Sequence, residues 1–218
     1  MTEAQKTRAA GVLERHGRML SGDLGLDLSS DTPETLFRWL CGVLLVSARI
    51  ATPLALKAAR ALADEGWTTP QRMADARWED CVRVLNGSGY ARYDESTARM
   101  LGDTSRLLIE RYDGNLRELR RAAGRDPAKE HRLLQEFKGI GPVGADIFLR
   151  EVQLAWDELY PFADDKALEA AQSIDLPDTA EGLARLVPRA DFPRLLSGLI
   201  RADLAGDLDA IRLAAEEE

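Results

Sequence analysis

Apolar residues recur at helical spacing along almost the whole chain, and no stretch alternates convincingly between apolar and polar residues. A strand with one buried face needs that alternation, whereas a helix needs apolar residues three and four apart. The chain is therefore expected to be all-α. Phe37 to Ala48 holds a single charged residue, with Leu36, Leu40, Val43 and Leu44 on one helical face, so this helix is expected at the centre of a core. Asp31-Thr32-Pro33-Glu34 opens it with a cap residue, an early proline and an early acid. A first helix is expected to run to about Leu20, with a Gly-, Ser- and Asp-rich linker over 21–31. Further helices are expected at about 53–65, 70–76, 78–85, 94–112, 115–123, 127–137, 143–156, 166–173, 180–186 and 192–204, before a frayed, Glu-rich end. There is no fixed-period repeat.

Composition narrows the function classes. With 218 residues, 45% of them apolar and 30% charged, the chain can bury ordinary cores in one large domain or two small ones. No apolar run approaches the ~20 residues of a membrane span, and the amphipathic start carries acids where a secretory signal has an apolar core. A cytoplasmic protein is expected. Two cysteines, Cys41 and Cys81, cannot build a four-cysteine zinc or iron-sulfur site within one chain. They read as buried helix residues, and His16 and His131 as surface residues. The net charge is −8, unevenly spread: residues 151–218 carry 6 basic and 16 acidic side chains, and residues 1–150 carry 23 and 21. A polyanionic partner would belong to the first two thirds.

The segment Phe137-Lys138-Gly139-Ile140-Gly141-Pro142-Val143-Gly144-Ala145 reads as a hairpin between two helices. The glycines allow positive φ and the close approach of a foreign backbone, and Pro142 suits a first helical turn. The amides of Gly141, Val143 and Gly144 point out of a helix N-terminus and can bind a phosphate. The same residues also read as a plain helix-to-helix turn.

Three other segments accompany it: Leu44-Leu45-Val46-Ser47-Ala48-Arg49-Ile50-Ala51-Thr52, Leu85-Asn86-Gly87-Ser88-Gly89-Tyr90-Ala91-Arg92-Tyr93, and Tyr160-Pro161-Phe162-Ala163-Asp164-Asp165-Lys166-Ala167-Leu168. In this order they resemble the helix-hairpin-helix DNA glycosylases, the superfamily of endonuclease III and the adenine and 3-methyladenine glycosylases. The resemblance covers roughly residues 31–175 and implies two helical lobes with a cleft between them. One lobe would span 31–160 and contain the hairpin; the other would join 1–30 to 161–218. The implied activity is that of a monofunctional DNA glycosylase of base excision repair, a monomer acting on double-stranded DNA in the cytoplasm or on the nucleoid. Many relatives end in a four-cysteine iron-sulfur loop, and no cysteine follows Cys81 here, so that cofactor is not expected. The resemblance also implies a sodium or potassium ion on the backbone carbonyls of Gln135, Phe137 and Ile140.

The carried-over roles fall on individual residues. Asp165 is the implied catalytic carboxylate, chosen over Asp164 because a cap at 165 places Leu168 and Ala171 at three and six and because Asp164-Asp165 matches the Asp-Asp pair of the 3-methyladenine glycosylases. Its task would be to stabilise the sugar cation or activate water. Asp164-Asp165 also reads as an N-cap pair. Bifunctional relatives carry a lysine where Val143 stands, which implies hydrolysis by water; Lys138 and Lys166 are the nearby amines that leave a glycosylase/lyase reading open. Lys138, Gly139, Gly141, Val143 and Gly144 would contact the DNA backbone, and Arg49 would fill the gap left by a flipped base. Tyr90 and Tyr93 would line a groove or pocket, or pack. Asp146, near the phosphate site, Asp94, where the family turn has a lysine, and the missing amine at Val143 motivate a second reading, a degenerate DNA-binding protein without catalysis. A helical scaffold is the third reading.

Overall fold

A computed structural model of the chain describes residues 2–215. Its α-helices are α1 (Glu3–His16), α2 (Leu20–Asp23), α3 (Pro33–Val46), α4 (Thr52–Asp64), α5 (Pro70–Asp75), α6 (Trp78–Gly87), α7 (Asp94–Tyr112), α8 (Leu116–Ala122), α9 (Pro127–Leu134), α10 (Pro142–Val152), α11 (Asp165–Ser173), α12 (Ala180–Ala184), α13 (Phe192–Ala205) and α14 (Leu208–Ala214). Short 3₁₀ turns cover Leu28–Ser30, Asp157–Leu159 and Arg189–Asp191. The described residues contain no strand, so the fold is all-α. No described helix is long and apolar enough to cross a membrane.

The chain forms two compact units, a central one over 23–149 and a terminal one made of 1–22 and 150–218. The division runs through α2 and α10 rather than at the expected 31 and 161. Buried acidic and basic side chains on the last turn of α10 account for the second difference, because Arg150 and Glu151 find their partners in the terminal unit.

In the central unit α3 is the most buried helix, as its lack of charge suggests. Leu36, Phe37, Trp39, Leu40, Val43 and Leu45 are all inaccessible to solvent, and the Trp39 indole donates to the Phe148 carbonyl of α10 at 3.3 Å. Thr32 caps α3, its hydroxyl accepting the Thr35 amide, and Pro33 occupies the first turn. Cys41 and Cys81 are buried free thiols. Desolvation pushes the Cys81 thiol from 9.0 up to about 12 and raises that of Cys41 further, so both stay protonated.

The terminal unit packs α1, α11 and α13 around Val12, Ala167, Ala171, Phe192, Leu195 and Leu199. Glu151 is fully buried there and accepts the Leu20 and Ser21 amides at 2.8 and 2.9 Å and the Ser197 hydroxyl at 3.1 Å, which fixes the N-terminus of α2. Neither histidine is a free surface residue: half-buried His16 bonds Asp207 at 2.8 Å, and His131, in the central unit, bonds Asp146 at 3.0 Å. In place of the expected frayed end after residue 204, α14 forms with Leu208 and Ile211 buried. The final Glu216–Glu218 triplet lies outside the described residues.

Candidate functional site

The hairpin begins where α9 stops at Leu134, three residues before the expected end. The amides of Gln135, Glu136 and Phe137 bond the carbonyls of Arg132, Leu133 and Leu134, a tightening to 3₁₀ geometry. This turns Phe137 into the core beside Tyr112, with ring centroids 6.4 Å apart. Gly139 then takes φ +96°, and a Cβ there would lie 2.7 Å from the Met100 sulfur. Both conformation and space demand glycine. Gly141 does not use the positive φ that glycine allows, and a Cβ there would meet nothing within 4 Å. Neither backbone nor packing explains its missing side chain.

Pro142 starts α10, and the first helical bond runs from the Ala145 amide to the Gly141 carbonyl at 2.9 Å. The amides of Val143 and Gly144 precede it and have no helical acceptor. Val143 is 67% exposed and presents an isopropyl group to solvent. Gly144 is buried; a Cβ on it would come within 2.8 Å of the Ser47 hydroxyl.

That contact joins the hairpin to the loop after α3, and two more join in the loop after α6. A Cβ on Gly89, at φ +95°, would lie 3.2 Å from Leu54, and the buried Tyr90 hydroxyl donates to the Leu45 carbonyl at 3.2 Å. Residues 47–54, 86–93 and 137–144 thus meet at one end of the central unit. They contain no Asp or Glu, although the chain has 37, and they present exposed Arg49, Arg92 and Lys138. The acids flanking them are engaged: Glu136 pairs with Arg111, Asp94 accepts from the Asn86 amide at 2.9 Å, and Asp146 bonds His131. Asp146 therefore faces a histidine whose other ring nitrogen meets the Gln135 amide at 3.0 Å.

Of the two readings of Tyr90, groove residue or packing residue, the structure has the second. Tyr90 is fully buried, and desolvation raises its phenol above the ordinary range. Of the three carbonyls implied for a monovalent cation, that of Phe137 accepts the Ile140 amide at 2.9 Å and keeps a second lone pair. Carbonyl oxygens suit such a hard cation. No cluster of three or more metal-ligating side chains occurs among the described residues.

Asp164, Asp165 and Lys166 belong to the terminal unit, the hairpin to the central one. Asp164, not Asp165, caps α11: its carboxylate accepts the Ala167 amide at 3.3 Å, and Ala167 and Ala170 are the buried residues at three and six. The other Asp164 oxygen meets the Arg150 Nε at 2.5 Å, with both side chains about 5% exposed. Gln153 closes the network, donating to the Arg150 and Phe162 carbonyls at 2.7 and 2.9 Å and accepting the Phe162 amide at 3.1 Å. Asp164 is thereby committed to structure. Asp165 is the first residue of α11, exposed, and forms no ion pair with its exposed neighbour Lys166. Arg92, Arg150 and Gln153 were missed from sequence; two adjacent charges inside the otherwise apolar run 147–152 were the available signal for the Arg150 network.

No family model matches this sequence, and no curated protein matches it. Among solved structures, a trapped endonuclease III–DNA covalent intermediate, an estranged-adenine complex, is similar at 19% identity, covering 77% of this chain and 73% of that chain with a TM-score of 0.49.

Proposed function

We propose that this protein is a monofunctional DNA glycosylase that binds duplex DNA through the acid-free end of its central unit and uses Asp165 for chemistry. The supporting observation is the convergence there of three cationic loops, free of acid in an otherwise acidic chain, around two helix-terminal amides. Phosphate contacts dominate affinity for DNA and need only a local basic face. Lys138 and the Val143 and Gly144 amides take phosphate oxygens, the bare Gly141 lets the backbone approach, and Arg49 fills the space of a flipped base. A sodium or potassium ion on the Gln135, Phe137 and Ile140 carbonyls belongs to the same proposal.

In the chemical step the N-glycosidic bond breaks as positive charge grows on the deoxyribose, and the Asp165 carboxylate stabilises that charge. Water adds to the anomeric carbon, its proton leaves, and the base departs protonated. Val143 supplies no amine, so no Schiff base forms at that position. Single-turnover assays on duplexes bearing uracil, alkylated, oxidised or mismatched bases are expected to yield an abasic site with at least one substrate. Retention of full rate by Asp165→Asn would remove the carboxylate from the mechanism. Borohydride trapping of a covalent adduct would instead support the lyase reading through Lys166 or Lys138.

A further inference from the structure

A second feature of the central unit has no part in the DNA-binding proposal. Between α5, α6 and α7 lies a cavity of about 260 Å³, with Met73, Cys81 and Ala98 at its floor and Trp78, Arg99 and Arg106 at its rim. The floor side chains are nearly inaccessible, while the Trp78 indole, 37% exposed, donates to the Glu95 carbonyl at 3.2 Å and holds its ring at the mouth. The Arg99 guanidinium lies 4.9 Å from the centre of that ring. Arg99 and Arg106 stand seven residues apart on α7, two turns along one face.

Gly102 lines the same cavity in the middle of the 19-residue α7. Glycine there weakens a helix relative to alanine, yet its φ is not positive and a Cβ would meet only the flexible Arg106 guanidinium, at 3.3 Å. The missing side chain makes room for the Arg106 guanidinium, which lies over the helix at this wall of the cavity. Each guanidinium has a carboxylate partner on its own helix, Arg99 with Glu95 at 3.5 Å and Arg106 with Asp103 at 2.7 Å. All four groups are exposed, so these bridges are weak and can exchange for another anion.

We infer that this cavity is a binding site for a small aromatic acid, its ring system seated on Trp78, Met73, Ala98 and Gly102 and its anionic group held by Arg99 and Arg106. Size supports the class: a cavity of about 150 Å³ holds one benzene ring, and this one has room for a bicyclic ring with a carboxylate. The Cys81 thiol, kept protonated by burial, acts as an apolar lining atom.

The probes are indole-3-carboxylate, benzoate and uncharged indole, titrated into the full-length protein and followed by amide chemical shifts. Indole-3-carboxylate is expected to shift Ala98, Gly102 and the Trp78 indole in a saturable way and to bind at least tenfold more tightly than indole. Gly102→Leu, which fills the cavity, is expected to abolish binding without lowering the melting temperature; Arg99→Gln/Arg106→Gln is expected to reduce the acid's affinity to that of indole. No saturable shift up to millimolar concentration, equal affinity for acid and indole, or undiminished binding in Gly102→Leu would each overturn the inference. None of these readouts depends on DNA binding or on glycosylase activity.

Discussion

At the scale of single residues, glycines separate what the fold needs from what the surface offers. Gly139 is left-handed and pressed against Met100, whereas Gly141 is neither. Gly139→Ala is expected to destabilise the protein by about 2 kcal/mol or more, the cost of a left-handed alanine plus the clash. Gly141→Ala is expected to leave the denaturation midpoint unchanged and to weaken duplex binding, as read by fluorescence anisotropy. The two aspartates divide in the same way. Asp164→Ala strands the buried Arg150 charge and is expected to cost about 3–5 kcal/mol, while Asp165→Asn, at an exposed position, is expected to lower the rate of base release and leave stability within about 0.5 kcal/mol. The sequence contained the pair Asp164-Asp165 but not which of them caps α11. That depends on Arg150, fourteen residues earlier, and a buried ion pair has no periodicity to reveal it. Groove and packing were both open for Tyr90 in a glycine-rich turn, and the Leu45 carbonyl beside its hydroxyl decides for packing.

At the scale of elements, helices with capping residues and long amphipathic faces were legible. The range 94–112 agrees with α7 at both ends, and the starts of α3, α5, α6, α9 and α13 coincide with Pro33, Pro70, Trp78, Pro127 and Phe192. The ends were less so, because the last turns of α9 and the region after α10 relax into turns set by tertiary contacts rather than by local sequence. Helix α14 was hidden by its polar neighbours. The convergence of three loops was also invisible in sequence, since it rests on Ser47 against Gly144 and Leu54 against Gly89. Those loops make a quantitative expectation. Replacing Arg49, Arg92 and Lys138 together by Gln removes three cations from one surface without touching a buried group. If each neutralises one phosphate, the slope of log affinity against log salt for duplex DNA falls by roughly 0.9 per residue. An unchanged slope would place the DNA elsewhere.

At the scale of the whole molecule, the charge of −8 looks hostile to DNA, but its distribution matters more than its sum. The acids concentrate after residue 150, and those beside the cationic loops are engaged by Arg111, Asn86 and His131. The buried thiols and phenols set a limit at the other end of the pH scale. Cys41, Cys81, Tyr90 and Tyr112 are all raised in the folded state, chiefly by desolvation. Groups of this kind lose their protons earlier in the unfolded chain, so stability is full below about pH 9 and is expected to fall as pH rises beyond it, a decline that Cys81→Ser shallows. Urea denaturation midpoints between pH 7 and 11 check this. The claim that a carboxylate on α11 drives base excision is tested most directly by single-turnover formation of abasic sites on the lesion panel, comparing the wild type with Asp165→Asn. Product from at least one duplex, with loss of most of the rate in the variant at unchanged DNA affinity, is the expected result; abasic-site formation at equal rates by both proteins, or by neither, contradicts it.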